Sequence, residues 1–480
     1  MNFTSLNFLL LFPIACFFYY LIPYKLRWAY LLLVSYAFYL SWQPVFGLVL
    51  AGVTIASYFA GLKIEMKKDD SKRAKSWLTT GIVISLLPLL AFKYYNFINS
   101  SIFDALSSFG WSFRLPEMKL LMPLGISFFT FMAVGYMVDV YRGKISAERN
   151  IGLYALFISF FPQVTSGPIG RADQLIPQLK NPEGLKLDNV SSGLKMMLWG
   201  YLMKLCLADR LGIYVDAVFS NVDYHNGTTY LLTSILYTIQ IYGDFAGYSL
   251  IAIGAARIMG IRLMENFKRP YFATSTKDFW RRWHISLSTW MRDYVYIPLG
   301  GSRVKESRHL FNIFATMLVS GLWHGAAWTF VFWGALHGLS QVIQTLWNKH
   351  VTHVHINSFL KIVLCFFFVN IAWVFFRSPD FATAFKMVTG MFSSVGKPFM
   401  DIPVFLNGLL TLTIVFAKDL YDEIKEKRAK ENVVTIQKPE REGQKFWRKN
   451  ALDIIAIVAT GIYVLLFGVL DGGQFIYFQF

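Results

Sequence analysis

Apolar runs near membrane-spanning length recur from end to end, roughly at 3–23, 28–43, 45–62, 76–98, 119–140, 150–165, 193–208, 229–257, 309–323, 326–346, 358–376, 402–417 and 451–470. A helical span needs about 20 mainly apolar residues. The pattern predicts an all-α, polytopic transmembrane bundle of about eleven crossings. The run at 150–165 and the pair around 309–346 are short for straight crossings. They read as re-entrant or paired at mid-membrane, which is tolerated where protein or water surrounds the backbone. The first run lacks a basic leader and an A-x-A-like cleavage site, and a second run follows at once. A retained span is expected there rather than a cleaved signal peptide.

The polar segments set an orientation. KIEMKKDDSKRAK (63–75) is basic, and 141–150, 259–308 and 418–449 fall on the same side by alternation. The positive-inside rule makes that side cytoplasmic. Both termini, including the aromatic tail 471–480, are then extracytoplasmic. The 418–449 loop mixes both signs and reads as a helix followed by a linker. Composition agrees with a membrane chain of 1–480 as one domain: 55% of residues are hydrophobic and only 16% charged, with a mean hydropathy of +0.44. The net charge of +17 sits in short loops between apolar runs, so it reads as loop bias toward lipid rather than a nucleic-acid surface. Cys16, Cys206 and Cys365 lie far apart in apolar runs, with no CxxC and no disulfide framework. There is no internal repeat, P-loop, GxGxxG or HExxH. His350, His353 and His355 form HVTHVH, which reads as a solvated loop, and no metal site is expected.

One polar segment carries candidate chemistry. Turned at the helical period, KRPYFATSTKDFWRRWHISLSTWMRDYVYIPLGGSR (268–303) gathers Trp280, Trp283, Leu287, Trp290 and Tyr294 on one face. Arg281, Ser288 and Arg292 gather on an adjacent face, with His284 between the two. This predicts an amphipathic helix at the cytoplasmic interface, aromatics toward headgroups and arginines toward water. Two readings stay open. The helix is an anchor whose arginines meet lipid phosphates, or it binds a phosphate-rich cytosolic donor. Arginine forks suit phosphates, and the turn at Pro298, Gly300 and Gly301 could add backbone N–H groups.

SGLWHGAAWTFVFWGALHG (320–338) buries two more histidines among aromatics and glycines. His324 is either a hydrogen-bonded core residue or a base, since intramembrane ionisable groups tend to mark functional paths. Gly321 and Gly325 remove bulk beside it, and Trp323 and Trp328 supply walls. A neutral imidazole in a dry pocket can take a proton from a hydroxyl. His337 reads as structural. Asp244, in QIYGDFAGYS, reads equally as a support for a histidine or helix end and as a structural acid.

WRRWHISLSTWMRDYVYIPLGGSR followed by an embedded LWHG resembles the membrane-bound O-acyltransferase (MBOAT) family. The bacterial polysaccharide branch, typified by the membrane component of alginate O-acetylation, is the nearest likeness. MPLGISFFTFMAVGYMVDVYRGKI, SFFPQVTSGPIGRADQLIPQL, IYGDFAGYSLIAIG and the terminal FIYFQF are similar to this branch too. The chain departs from it at Leu250, where an acid is expected, and at Met132, where glutamine is common. Both departures bear on subgroup rather than activity.

The resemblance implies a ring of helices around a thinned centre where two opposed funnels meet. It implies an O-acyltransferase with His324 as catalytic base and His284 as second histidine. Acetyl-CoA would be the acyl-donor substrate, with no bound cofactor, held by Arg281, Arg282, Arg292 and Arg303, with Asp244 and Trp323 in support. An extracellular or cell-wall polysaccharide would be the final acceptor, in a bacterial inner-membrane system. Tyr477 resembles the tyrosine implicated as an acyl relay in D-alanylation systems; otherwise the tail is an aromatic belt. No GxSxG elbow is present, which fits a separate extracytoplasmic SGNH-type O-acetyltransferase as partner. The rivals are a D-alanyl-type transferase using a carrier-protein thioester and a non-enzymatic polymer or lipid transporter.

Overall fold

The computed structural model describes residues 2–110, 115–118, 121–351, 356–432 and 443–469, with the side chains of 430–453 excepted. The described residues are helix and loop, with no strand among them. The predicted runs become helices. Helix α1 (Leu6–Leu21) starts on Ser5, whose hydroxyl accepts the Phe8 N–H. Then come α2 (Arg27–Leu40) and α3 (Phe46–Met66). Helix α4 (Ser71–Leu89) starts on Asp70, which caps the Arg73 N–H. Pro88 lies in its last turn and lacks the N–H that would continue the ladder. A wide π turn, Leu90–Tyr94, follows and runs into α5 (Tyr95–Ser107).

Helix α6 (Ile126–Tyr141) is buried along most of its length. The short run at 150–165 is broken into short helices rather than one long one. Helices α7 (Ile151–Ser159), α8 (Phe161–Val164) and α9 (Ala172–Lys180) follow one another, and the two ends of the segment meet. Lys180 and Glu148 join those ends at 2.6 Å. Next, α10 (Leu187–Tyr201), a second π turn (Leu202–Ala208) and α11 (Asp209–Phe219) form one long rod. It packs on the 32-residue α12 (Gly227–Ile258). Contact is close because glycines face each other. A Cβ on Gly200 would lie 2.6 Å from the Gly247 carbonyl, and one on Gly254 would lie 2.5 Å from the Gly193 carbonyl. Without a hydrophobic drive between helices in lipid, such close contact supplies the attraction.

The segment 268–303 corrects the sequence reading. It is not one interfacial helix. It is α13 (Thr276–Arg282), a break at Trp283–His284, α14 (Ile285–Met291) and a π turn (Arg292–Tyr296). Trp280, Trp283, Leu287 and Trp290 are buried in protein rather than among headgroups. Trp290 stacks on Phe131 at 3.8 Å, and Trp283 packs on Trp373 at 5.0 Å. The aromatic face found its partners on other helices, and burial of that face draws the centre of the segment into the bundle. Non-helical backbone survives there because it is satisfied internally. The Lys268 N–H donates to the Arg282 carbonyl at 2.8 Å and the Ile285 N–H to the Asn266 carbonyl at 2.9 Å.

Helices α15 (Glu306–His324) and α16 (Trp328–His350) form a hairpin whose open end is closed by Lys349 and Glu306 at 2.6 Å. Then follow α17 (Ser358–Arg377), α18 (Phe381–Ser393), α19 (Ile402–Asn432) and α20 (Gly443–Phe467). The expected 418–449 loop is thus mostly helical, leaving only 433–442 between α19 and α20, outside the described residues. Among the described residues, four stretches are long and apolar enough alone to cross a membrane: Phe46–Met66, Ser71–Ser107, Ser358–Arg377 and Ile402–Ala429.

The loops grouped by charge do meet on one face. Arg149 pairs with Glu65, Arg142 donates to the Asp293 carbonyl at 3.0 Å, and Arg269 and Arg282 pair with Glu423 of α19 at 2.9 and 3.0 Å. The opposite face carries the α2–α3 turn and the approach to α6, where the Tyr39 hydroxyl donates to the Leu124 carbonyl at 3.1 Å.

Candidate active site

His324 is the last residue of α15 and is 2% exposed. Its ring touches Trp323, Trp333 and Phe376 edge-on at 4.9, 5.0 and 5.4 Å. The glycines beside it serve protein packing. A Cβ on Gly325 would meet the Phe330 ring at 2.1 Å, and one on Gly321 would meet the Phe330 carbonyl at 2.4 Å. The α15–α16 turn closes tightly only because neither position has a side chain. Trp328, expected as a wall, is exposed and donates to the Ser101 hydroxyl on the opposite face.

His284 is fully buried, and its ring lies 6.2 Å from that of His324. The structure therefore brings together two histidines 40 positions apart in sequence. The backbone at His284 is left-handed, with φ 43°. Among the described residues only Arg269 shares that state without being glycine. Such strain costs of order 1–3 kcal/mol and persists where the surroundings over-determine it. Here the over-determining residue is Asn266. Its Oδ1 accepts the Ser286 N–H at 3.2 Å and the Ser286 hydroxyl at 2.8 Å, and it lies 3.2 Å from Nδ1 of His284. An atom that accepts a backbone N–H is the oxygen, so Nδ1 carries the imidazole proton and Nε2 carries the lone pair. Asn266→Leu keeps the volume but strands these donors. We expect acyl turnover to fall about tenfold or more, as for lost orienting partners of functional histidines, and steady-state kinetics of the purified variant measures it.

A cavity of about 260 Å³ reaches His324 from the opposite face. Trp42, Gln43, Met122 and Gly125 line its outer part, and Lys93, Phe128, Trp323 and His324 its inner part. Trp323, the predicted support, packs between Phe128 and Phe131 at 5.4 and 5.6 Å. Sequence reading missed Lys93. Its ammonium donates to the carbonyls of Trp323 at 2.8 Å and His324 at 2.9 Å, and the Tyr94 hydroxyl donates to the Leu322 carbonyl at 2.6 Å. A lysine inside the apolar run 76–98 was the available signal.

The remaining predicted residues scatter. His337, expected to be structural, accepts the Trp280 indole N–H at 3.2 Å and so joins α13 to α16. Asp244 pairs with Lys204 at 2.5 Å. Arg282 is held by Asp278 at 3.1 Å and by Glu423. Burial works against its charge, but the two carboxylates outweigh burial and raise its pKa above the ordinary value. Arg292 pairs with Asp293 at 2.7 Å, while Arg281 and Arg303 are exposed. Among the described residues the four arginines share no ion-pair partner. Tyr477, His353 and His355 lie outside the described residues, and no metal-holding cluster of His, Cys, Asp and Glu occurs among the described ones.

A multi-helix membrane domain with a buried histidine pair, one member of which lines a cavity, defines a class. The model of the MBOAT, membrane-bound O-acyltransferase family matches residues 148–380. The chain is 41% identical over 395 residues to the probable alginate O-acetylase of Pseudomonas aeruginosa, covering 82% of this chain and 75% of that one. It is 35% identical to the peptidoglycan O-acetyltransferase of Helicobacter pylori, covering 75% and 73%. It is 28% identical to the teichoic acid D-alanyltransferase of Bacillus subtilis, covering 62% and 77%. The chain belongs to the membrane-bound O-acyltransferases, in the alginate O-acetylase branch, and is a membrane-integral O-acyltransferase enzyme.

Proposed function

We propose that this enzyme passes an acetyl group from cytosolic acetyl-CoA across the membrane for O-acetylation of an extracellular or cell-wall polysaccharide. The carrying observation is a pair of histidine rings 6.2 Å apart, of which His324 lines a cavity that opens away from the basic face. By the positive-inside rule the basic face is cytoplasmic and both termini are outside, in a bacterial inner membrane. Acetyl-CoA approaches from that face near 277–303, where Arg281, Arg292 and Arg303 meet its phosphates. Arg282 contributes only if Glu423 releases it.

The acceptor hydroxyl enters from the cavity. His324 takes its proton as the oxygen attacks the thioester carbonyl. The carbon–sulfur bond breaks, the ester forms, and CoA leaves as the thiol with the proton that His324 returns. His284 assists through its lone-pair nitrogen. Tyr477 is the candidate first acceptor, an aryl ester being a reactive acyl donor. An SGNH-type O-acetyltransferase outside would then deliver the group to the polymer.

The test is reconstitution in liposomes with radiolabelled acetyl-CoA supplied on one face at a time. CoA release only from the basic face, with label appearing on the protein or an outside acceptor, is the expected result. Turnover only with an aminoacyl carrier-protein thioester would move the donor to the D-alanyl type. Polymer flux without acyl chemistry would make the chain a transporter and overturn the reading.

A further inference from the structure

Lys93 is an ionisable amine inside an apolar rod. It lies in the π turn of the Ser71–Ser107 stretch, and among the described residues no carboxylate pairs with it. A charge at such depth is costly unless the protein compensates it. The compensation is the C-terminus of α15. A helix leaves its last four carbonyls without intrahelical partners. Gly325 turns to extended backbone, φ −159° and ψ 155°, so the ladder stops at His324. The Gly321 carbonyl takes the Gly325 N–H at 3.4 Å. The next three carbonyls, Leu322, Trp323 and His324, are satisfied by Tyr94 and Lys93 from another helix. An ammonium at this end also meets the negative pole of the helix.

We propose that Lys93 is a positioning residue of the acyl-transfer site: by holding the carbonyls of Trp323 and His324 it anchors the end of α15 and fixes the imidazole at the floor of the cavity. The inference rests on the reading of His324 as the base. The Lys93 bond fixes the peptide plane that leaves His324, and Lys93 and His324 line the same cavity. A catalytic group displaced by about 1 Å can lose 10²-fold in rate. The π turn belongs to the device. Each helical residue adds about 100° of rotation, so deleting the extra residue of the wide turn would swing Lys93 off the face that meets α15.

The experiment uses the full-length protein in vesicles with acetyl-CoA, comparing Lys93→Met, Lys93→Gln, Tyr94→Phe and His324→Ala, with thermal unfolding alongside. For Lys93→Met we expect kcat to fall about thirtyfold, which is about 2 kcal/mol, with the donor KM unchanged. Lys93→Gln, which keeps donors, should recover part of the loss. Tyr94→Phe, which removes a neutral cap, should stay within about fivefold. Lys93→Cys, in a chain with Cys16, Cys206 and Cys365 replaced by alanine, should regain turnover when aminoethylation restores the ammonium. Normal kcat in Lys93→Met beside an inactive His324→Ala would overturn the inference and leave the functional reading standing. Equal losses in Lys93→Met and Tyr94→Phe, tracking equal falls in unfolding temperature, would reduce Lys93 to a cap and also overturn it. An active His324→Ala would instead overturn the functional reading, and the inference with it.

Discussion

His324→Ala is expected to abolish acyl transfer while leaving a folded membrane protein. A positioned general base contributes about 10²–10⁴-fold, so CoA release in reconstituted vesicles should drop by about three orders of magnitude. His324→Gln is the sharper variant. It keeps most of the volume among Trp323, Trp333 and Phe376 and keeps polar atoms, but it cannot take a proton near neutrality. Both variants should therefore be inactive, and the glutamine variant should unfold close to the wild-type temperature. A glutamine variant with wild-type turnover would make His324 a packing residue. His284→Ala has a different expected signature. Its ring sits against Phe245 at 4.7 Å, and its loss frees a strained backbone that Asn266 holds in place. Turnover and unfolding temperature should fall together, and the loss of rate should be smaller than at His324.

The ease of reading the helices from sequence has a physical basis. A chain in lipid must close its backbone hydrogen bonds locally, so each apolar run had one available structure. The hairpin at 306–350 and the short helices of the 150–165 run follow from run length in the same way. His324 was legible because an ionisable group in such surroundings is rare. The break at Trp283–His284 was not. Helical periodicity of Trp280, Trp283, Leu287 and Trp290 predicts a face. It cannot tell whether lipid headgroups or Phe131 and Trp373 will cover that face. The arginine cluster dissolved for a related reason: Glu423, more than 100 positions away from Arg282 in sequence, claims it. Lys93 and Lys204 escaped notice because their partners are likewise tertiary. Lys93 meets carbonyls 230 positions distant, and Lys204 meets a carboxylate on α12.

Lys204→Met should destabilise the fold more than any other buried substitution considered. Lys204 lies in the second π turn, 2.7 Å from Asp209 and 2.5 Å from Asp244, and all three side chains are buried. Glycines make the meeting feasible. Gly243 and Gly247 lie beside Asp244 on α12, and a Cβ on Gly247 would lie 2.9 Å from the backbone nitrogen of Lys204. Two carboxylates held by one ammonium survive in a low-dielectric core only while the ammonium stays. Removing one member of a buried ionic group costs about 3–5 kcal/mol, because the remaining charges lose their compensation. That is a large share of a typical folding free energy, so Lys204→Met should lose most of its folded fraction on heating in detergent. The triple variant Lys204→Met, Asp209→Asn, Asp244→Asn removes the charges together. Replacing a whole buried ionic group is often neutral or stabilising, so the triple variant should regain most of the lost unfolding temperature. Recovery would make charge balance the reason the three residues need one another. Its failure would shift the cause to the fit of the lysine stem between α10, α11 and α12, and Lys204→Leu would then be as damaging as Lys204→Met.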